Sequence, residues 1–278
     1  MKLNATPDLL ASLGGRLALR AQRSVLAHLD YRTLRRQERA WSAAGQGCQQ
    51  ATLWQSLTSR ITVLRLSPGA VLPWPDDAKA QEILVIEGQL SACPAAPTAG
   101  AGAAVVLAQQ GYALRDGCNA GSLTAMTTGA QVYGRQLLVG PARLPAPEAQ
   151  WWRLKRAPLQ LVPAGTRRWL PNFSGVEVLP LWGNAEVTSM LVRFAAGAGV
   201  PDHAHAVDED CLMLAGEMFL GDILLQPGDY QLALAGSRHF GESSDVGGSF
   251  FFHGAIDPVL VPLPVQGDCA ASGGAGPA

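Results

Sequence analysis

The chain has 278 residues, 48% of them hydrophobic and 15% charged, and a formal net charge of −1. That is enough apolar material for two cores, and the near-neutral balance excludes a general electrostatic pull toward nucleic acid or an anionic membrane. Five cysteines (Cys48, Cys93, Cys118, Cys211, Cys269), widely spaced and without a C-x2-C pair, argue against a thiolate zinc finger and against a disulfide framework.

The first predicted element is a helix. Leu9, Leu10, Leu13, Leu17, Ala21, Val25 and Leu29 recur at three- and four-residue intervals, Thr6-Pro7-Asp8 supplies a cap and first turn, and Arg16, Arg20 and Arg23 fall off the apolar stripe. Residues 1–30 are therefore read as an N-terminal amphipathic helix. Residues 1–40 hold eight basic and three acidic side chains, Arg32, Arg35, Arg36 and Arg39 among them. This arm either packs on its own body or on a sister chain in a homodimer, or meets an acidic protein partner. Pro7, Asp8, Arg16 and Arg20 interrupt any run long enough for a signal peptide or a spanning helix, which predicts a cytoplasmic protein without a membrane anchor.

From residue 31 onward many short strands are expected, because 31 glycines and 19 prolines suit turns better than long helices. The segment 31–140 is repeated as 159–265 at a constant offset of 128: Arg39 and Arg167, Trp41 and Trp169, Trp54 and Trp182, Arg65 and Arg193, Gly69 and Gly197, Pro73 and Pro201, Gly88 and Gly216 are identical pairs. The four tryptophans suggest matched cores. An Ala/Gly/Pro insertion occupies 92–104 of the first copy, a proline-rich linker expected to be extended spans 141–158, and a Gly/Ala-rich tail covers 266–278.

Chemistry concentrates in the second copy. Gly197, His203, His205, Glu209 and Gly216 stand at the spacing G-x5-H-x-H-x3-E-x6-G, and alternation along an extended strand puts His203 and His205 on one side. Glu209 can rejoin them after a short turn. Downstream, Gly236 can supply the turn that returns His239 across from the first three. Three of the chain's five histidines sit at these positions, and imidazoles with one carboxylate suit a divalent transition metal rather than calcium or magnesium. The offset places Pro75, Asp77 and Gln81 opposite His203, His205 and Glu209, so the first copy is expected to be degenerate and metal-free.

These two segments resemble the paired motifs of the cupin superfamily, the second reading G-x5-L-x-G-x2-H-x3-S from Gly228 to Ser243. With the flanks Trp169-Leu-Pro, Gly175-Val-Glu-Val-Leu, Leu191-Val-Arg-Phe, Gly228-Asp-Tyr and Ala235-Gly-Ser-Arg-His239 added, the stretch is similar to the ChrR-like cupins, the metal-binding C-terminal modules of zinc-dependent anti-sigma factors. The resemblance implies a mainly β fold of two tandem cupin (jelly-roll) barrels. It also implies one metal held by His203, His205, Glu209 and His239, zinc first, with Fe, Mn or Ni as alternatives. The sigma-binding domain of that family has no match here, since His28 and Cys48 stand alone.

Two functions follow: a regulatory or stress-sensing protein with a sigma-factor-like partner on the N-terminal helix, or a metal-dependent dioxygenase taking a small chelating molecule into the second barrel. No catalytic residue is assigned. Cys211, two residues beyond Glu209, is expected on the ligand face, either as a small hydrophobe with Met213 or as a thiol near the metal.

Overall fold

A computed structural model describes residues 31–94, 104–117, 120–154, 157–184 and 186–255. The helix expected over 1–30, the tail 266–278, most of the 92–104 insertion, Cys118 and Cys269 lie outside them. Before the linker the chain forms β1 (Tyr31–Leu34), β2 (Trp41–Ala43), β3 (Cys48–Gln55), β4 (Ser59–Leu66), β5 (Ala80–Pro94), β6 (Val105–Leu107), β7 (Tyr112–Asp116) and β8 (Gly121–Leu137). After it come β9 (Leu159–Val162), β10 (Leu170–Phe173), β11 (Val176–Gly183), β12 (Thr188–Phe194), β13 (Ala198–Gly199), β14 (His203–Ala204) and β15 (Glu209–Gly216). The last six are β16 (Met218–Leu220), β17 (Ile223–Leu225), β18 (Tyr230–Ala233), β19 (Arg238–His239), β20 (Ser243–Ser244) and β21 (Gly248–Gly254).

Two large antiparallel sheets carry the same order of equivalent strands. One runs β2-β3-β4-β8-β5-β7-β9, with β6 beside β5; the other runs β10-β11-β12-β21-β15-β18-β1. The strands β3 and β11, and likewise β1 and β9, stand 128 residues apart, as the repeat predicts. The edges, however, are exchanged: β1 pairs with β18 of the second half, Leu34 opposite Tyr230, and β9 pairs with β7 of the first half, Val162 opposite Tyr112. Each half thus completes its sheet with the leading strand of the other, and the segment boundaries at 31 and 159 do not separate the two sheets.

Strand alternation divides the interior into three cores. On β15, Cys211 and Met213 face a core with Val178, Val192, Phe250 and the small sheet β13-β20-β16-β17, while Leu212 faces a core shared by both halves. On β5, Ile83 and Val85 face the first half's own core, and Leu84 faces the shared one. Gly88 and Gly216 show why glycine recurs at that step: both have positive φ, and a Cβ at either would sit 2.1 Å from a backbone oxygen, of Gly129 and Gly247 respectively.

The linker corrects an expectation. Residues expected to run extended fold instead as helix α1 (Ala146–Arg153), because a proline precedes its first turn and Trp151 and Trp152 drop into the shared core. Trp182 Nε1 donates to Trp151 O at 3.1 Å, and Arg65 and Arg193 lie 3.9 and 4.3 Å over the rings of Trp41 and Trp169. All four repeated tryptophans border this shared core.

A buried ionic network ties the halves together through the same layer. Arg135 on β8 meets Asp210 on β15 at 2.5 Å and Glu82 on β5 at 3.2 Å. Tyr230 donates to Asp210 at 3.2 Å and Tyr112 to Glu82 at 2.8 Å, and His253 Nδ1 lies 3.6 Å from Glu82. Burial pushes both carboxyls up in pKa, and the neighbouring guanidinium opposes that shift. Closer to the N-terminus, Asp229 accepts from Arg36 N and Arg35 Nη1, each at 2.8 Å, and Arg39 Nη2 donates to Gly228 O. Two arginines of the basic arm, the half-buried Arg35 and the buried Arg39, are therefore bonded to the second half. Among the described residues no helix is long and apolar enough to cross a membrane.

Candidate metal centre

The four residues singled out from the sequence come together. Their ligand-capable atoms, one each from His203, His205, Glu209 and His239, all lie within 4.8 Å of one another. His203 pairs with His239 across β14 and β19. The backbone of His205 then bonds to the turn that Gly236 opens: His205 N donates to Ser237 O at 3.0 Å, and Gly236 N to His205 O at 2.9 Å. Gly236 has φ +87°, so the turn that returns His239 to the cluster does depend on that glycine. Glu209 begins β15 and points opposite to its neighbour Asp210, which reaches the shared core.

Hydrogen bonding orients the rings. Ser237 Oγ donates to Leu234 O at 2.5 Å, so it can only accept from His205 Nδ1, 2.8 Å away. His205 Nε2 then carries the lone pair and faces His239 Nδ1. His203 Nδ1 donates in the same way to Pro201 O at 2.9 Å. Burial holds His205 down to about 4 in pKa, with His203 adding to the effect, and pushes His239 well below the ordinary imidazole range, so both rings are neutral at pH 7.

This donor set fits a transition metal. His205 Nε2 lies 3.2 Å from His239 Nδ1, and Glu209 Oε1 lies 3.8 Å and 3.6 Å from those two atoms. Ligands held ~2.1 Å from one ion stand about 3.0–3.4 Å apart at right or tetrahedral angles, so these three need only a few tenths of an ångström of closure, and the four together span no more than 4.8 Å. Of the His239 ring it is Nδ1 that faces the other ligand atoms, while Nε2 is buried without a hydrogen-bond partner.

Three participants were not legible in the sequence. Tyr31, on the exchanged strand β1, sets its ring 4.9 Å from that of His239, edge to face, and its hydroxyl donates to Arg238 O. Glu242 places Oε2 3.7 Å from His239 Nδ1, and burial pushes its carboxyl up to about 7. Ser237 belongs to the string that suggested the family, but its role in fixing the His205 tautomer is visible only in the bonded geometry. Cys211 lines the adjoining cavity as expected, yet burial and the nearby acids raise its thiol well above the ordinary range, which disfavours a reactive thiolate.

In the first half Asp77 is on the surface, bonded to Arg60 Nη2 at 2.5 Å, and far in character from a ligand. Gln81 is fully buried with both amide atoms unpartnered. No second group of metal ligands appears among the described residues.

Residues 159–257 match the family model described as the ChrR Cupin-like domain. No curated protein matches the chain. Solved structures do: a variant of oxalate decarboxylase from Bacillus subtilis (14% identity, TM-score 0.57, covering 81% of this chain and 77% of that one) is one of them. Another is protein Ylba from E. coli (14%, TM-score 0.62, 82% and 91%), and a third is a provisionally assigned dioxygenase from Nostoc punctiforme (13%, TM-score 0.59, 85% and 88%). At these identities the likeness speaks for the fold alone, and together with the domain match it supports the cupin superfamily.

Proposed function

We propose that the chain is a tandem two-cupin protein in which only the second barrel holds a metal, and that this ion receives a small molecule from the adjoining cavity. The observation that carries the reading is the convergence of three imidazoles and one carboxylate at the head of a cavity of about 160 Å³. His203, His205, Glu209 and His239 would hold the ion, and a divalent metal there would supply Lewis-acid polarisation of a ligated oxygen, or redox chemistry if it is iron. The protein's own part is to keep the rings neutral and oriented through Ser237 and Pro201 O, and to exclude water with apolar walls. The names of the structural neighbours, a decarboxylase and a provisionally assigned dioxygenase, support chemistry on small oxygenated molecules. Zinc is favoured by the ChrR-like resemblance.

A second reading, a regulatory module, is favoured by the domain match over residues 159–257. The buried Cys211 gives it no thiol switch, so its signal would be the occupancy of the metal or the cavity. Elemental analysis of the purified chain tests the common part: one metal per chain, lost in His205→Ala. Sustained oxygen uptake by iron-loaded protein with a phenolic or diketone substrate, abolished by His239→Ala, supports the enzyme; saturable ligand binding without turnover supports the regulator.

A further inference from the structure

The cavity beside the metal ligands has a character that selects its occupant. Its walls are Val178, Met190, Val192, Phe194, Phe250 and Phe252, all buried in the core of the second half. The three histidines and Glu209 stand with Glu242 at the ligand end, and Asn172, Asp202, Asp210 and Gln231 are the other polar residues of the lining. Among the described residues no lysine or arginine lines it.

Volume sets the size. A cavity of about 150 Å³ walled by aliphatic and aromatic side chains stays dry and admits benzene, so 160 Å³ suits one six-membered ring or a branched chain of similar bulk. Charge sets the rest. A divalent ion held by the one carboxylate of Glu209 keeps one net positive charge, so a small dianion would bring a second negative charge beside the Glu242 carboxyl with no guanidinium or ammonium to meet it, and burying an unpaired charge is strongly disfavoured. An uncharged body meets no such penalty against the valine, methionine and phenylalanine walls, and a single oxygen at its end can reach the ligand cluster.

Resting on the metal-centre reading above, we infer that the second half binds an uncharged molecule with a benzene-sized apolar body and one oxygen-bearing end, and discriminates against small dianions such as oxalate. Val192 lies within the apolar wall: it pairs with Val178 on one side and Phe250 on the other, and all three line the chamber.

The test uses the purified full chain with metal content measured on every sample. Phenol and benzyl alcohol are titrated against oxalate, read by thermal shift and ligand-observed NMR. Phenol and benzyl alcohol should raise Tm and saturate, and oxalate should do neither. Val192→Phe should fill the chamber and weaken phenol binding about tenfold or more with metal content unchanged. If that variant folds poorly, Val192→Ala decides, since the enlarged chamber should shift preference from phenol toward 2-naphthol. Binding of oxalate in preference to phenol, or a phenol affinity indifferent to both Val192 variants, overturns the inference. Normal metal content with no ring binding defeats the inference and leaves the metal centre standing. A chain that takes up no metal defeats the metal reading by itself, whatever the cavity binds.

Discussion

The two halves share strand order, edge exchange, tryptophans and arginine–tryptophan stacks, yet they fill the same place with opposite chemistry. Where the second half gathers His203, His205, Glu209 and His239, the first has Pro75, a solvent-facing Asp77 and the buried Gln81. Opposite Gln81 across β5 and β7 stands Arg115, which reaches Leu72 O at 3.5 Å and lies 5.1 Å over Trp74. Burial pushes this guanidinium down to about 10. A fixed side-chain cation thus occupies the interior of the half that lacks metal ligands. The first half keeps the strand order of the second with no such ligand set among its described residues.

The largest effect should come from the layer both halves share. Arg135→Met leaves Asp210 and Glu82 buried beside each other without their guanidinium, and breaking such a pair typically costs about 3–5 kcal/mol. Denaturant unfolding should show that loss as one cooperative transition for the whole body. Two separate transitions, with only one displaced, would mean that the halves fold independently. Residues 150–262 alone should be less soluble than the full chain for the same reason, since they lack β1 and expose the shared core.

Next comes the metal. His205→Ala should reduce metal affinity by about 100-fold or more while the circular dichroism of the folded chain stays unchanged. Undiminished binding would refute the ligand set, and a second equivalent of metal per chain would refute the asymmetry between the halves. Ser237→Ala frees the His205 tautomer without removing a ligand, and a loss of about tenfold is expected by titration against a chelator.

A smaller effect is the pH response of the metal-free chain. His205 is held down to about 4, whereas an unfolded imidazole titrates near ~6.5. The unfolded chain takes the proton first, so this group removes stability as pH falls from about 6.5 to 4. Glu242, raised to about 7 against an unfolded value near ~4.3, acts in the reverse sense and favours the folded state in acid. Removing it in Glu242→Gln should therefore steepen the acid loss of stability, measured by urea midpoints between about pH 4.5 and 6.5. An unchanged slope would show that Glu242 does not face the cluster as placed.

The smallest effect concerns thiols. Cys93 is exposed, while Cys48 and Cys211 are buried, so a thiol reagent should label Cys93 at once and Cys211 only on unfolding. Rapid labelling of Cys211 in the folded, metal-loaded chain would reopen a sensing role for it.

Much was legible in residue order because the signals are local. Two histidines two apart, a carboxylate four further on and a glycine three before the last histidine define a site almost without tertiary help, and the offset of 128 foretold which strands would match. The strand exchange was not legible: Tyr31–Leu34 and Leu159–Val162 hold equivalent places at the offset of 128, and which neighbour each strand pairs with is settled by long-range packing rather than by its own sequence. The linker misled because its prolines suit an extended chain and a helix's first turn equally, and burial of Trp151 and Trp152 selects the helix. Glu242 and Tyr31 were likewise invisible beside His239, one three residues away on a turn and the other 208 positions earlier in the chain. Periodicity and spacing report what one segment can do on its own; which distant side chains are desolvated together, and so which carboxyl is raised and which ring is held, is a property of the packed whole.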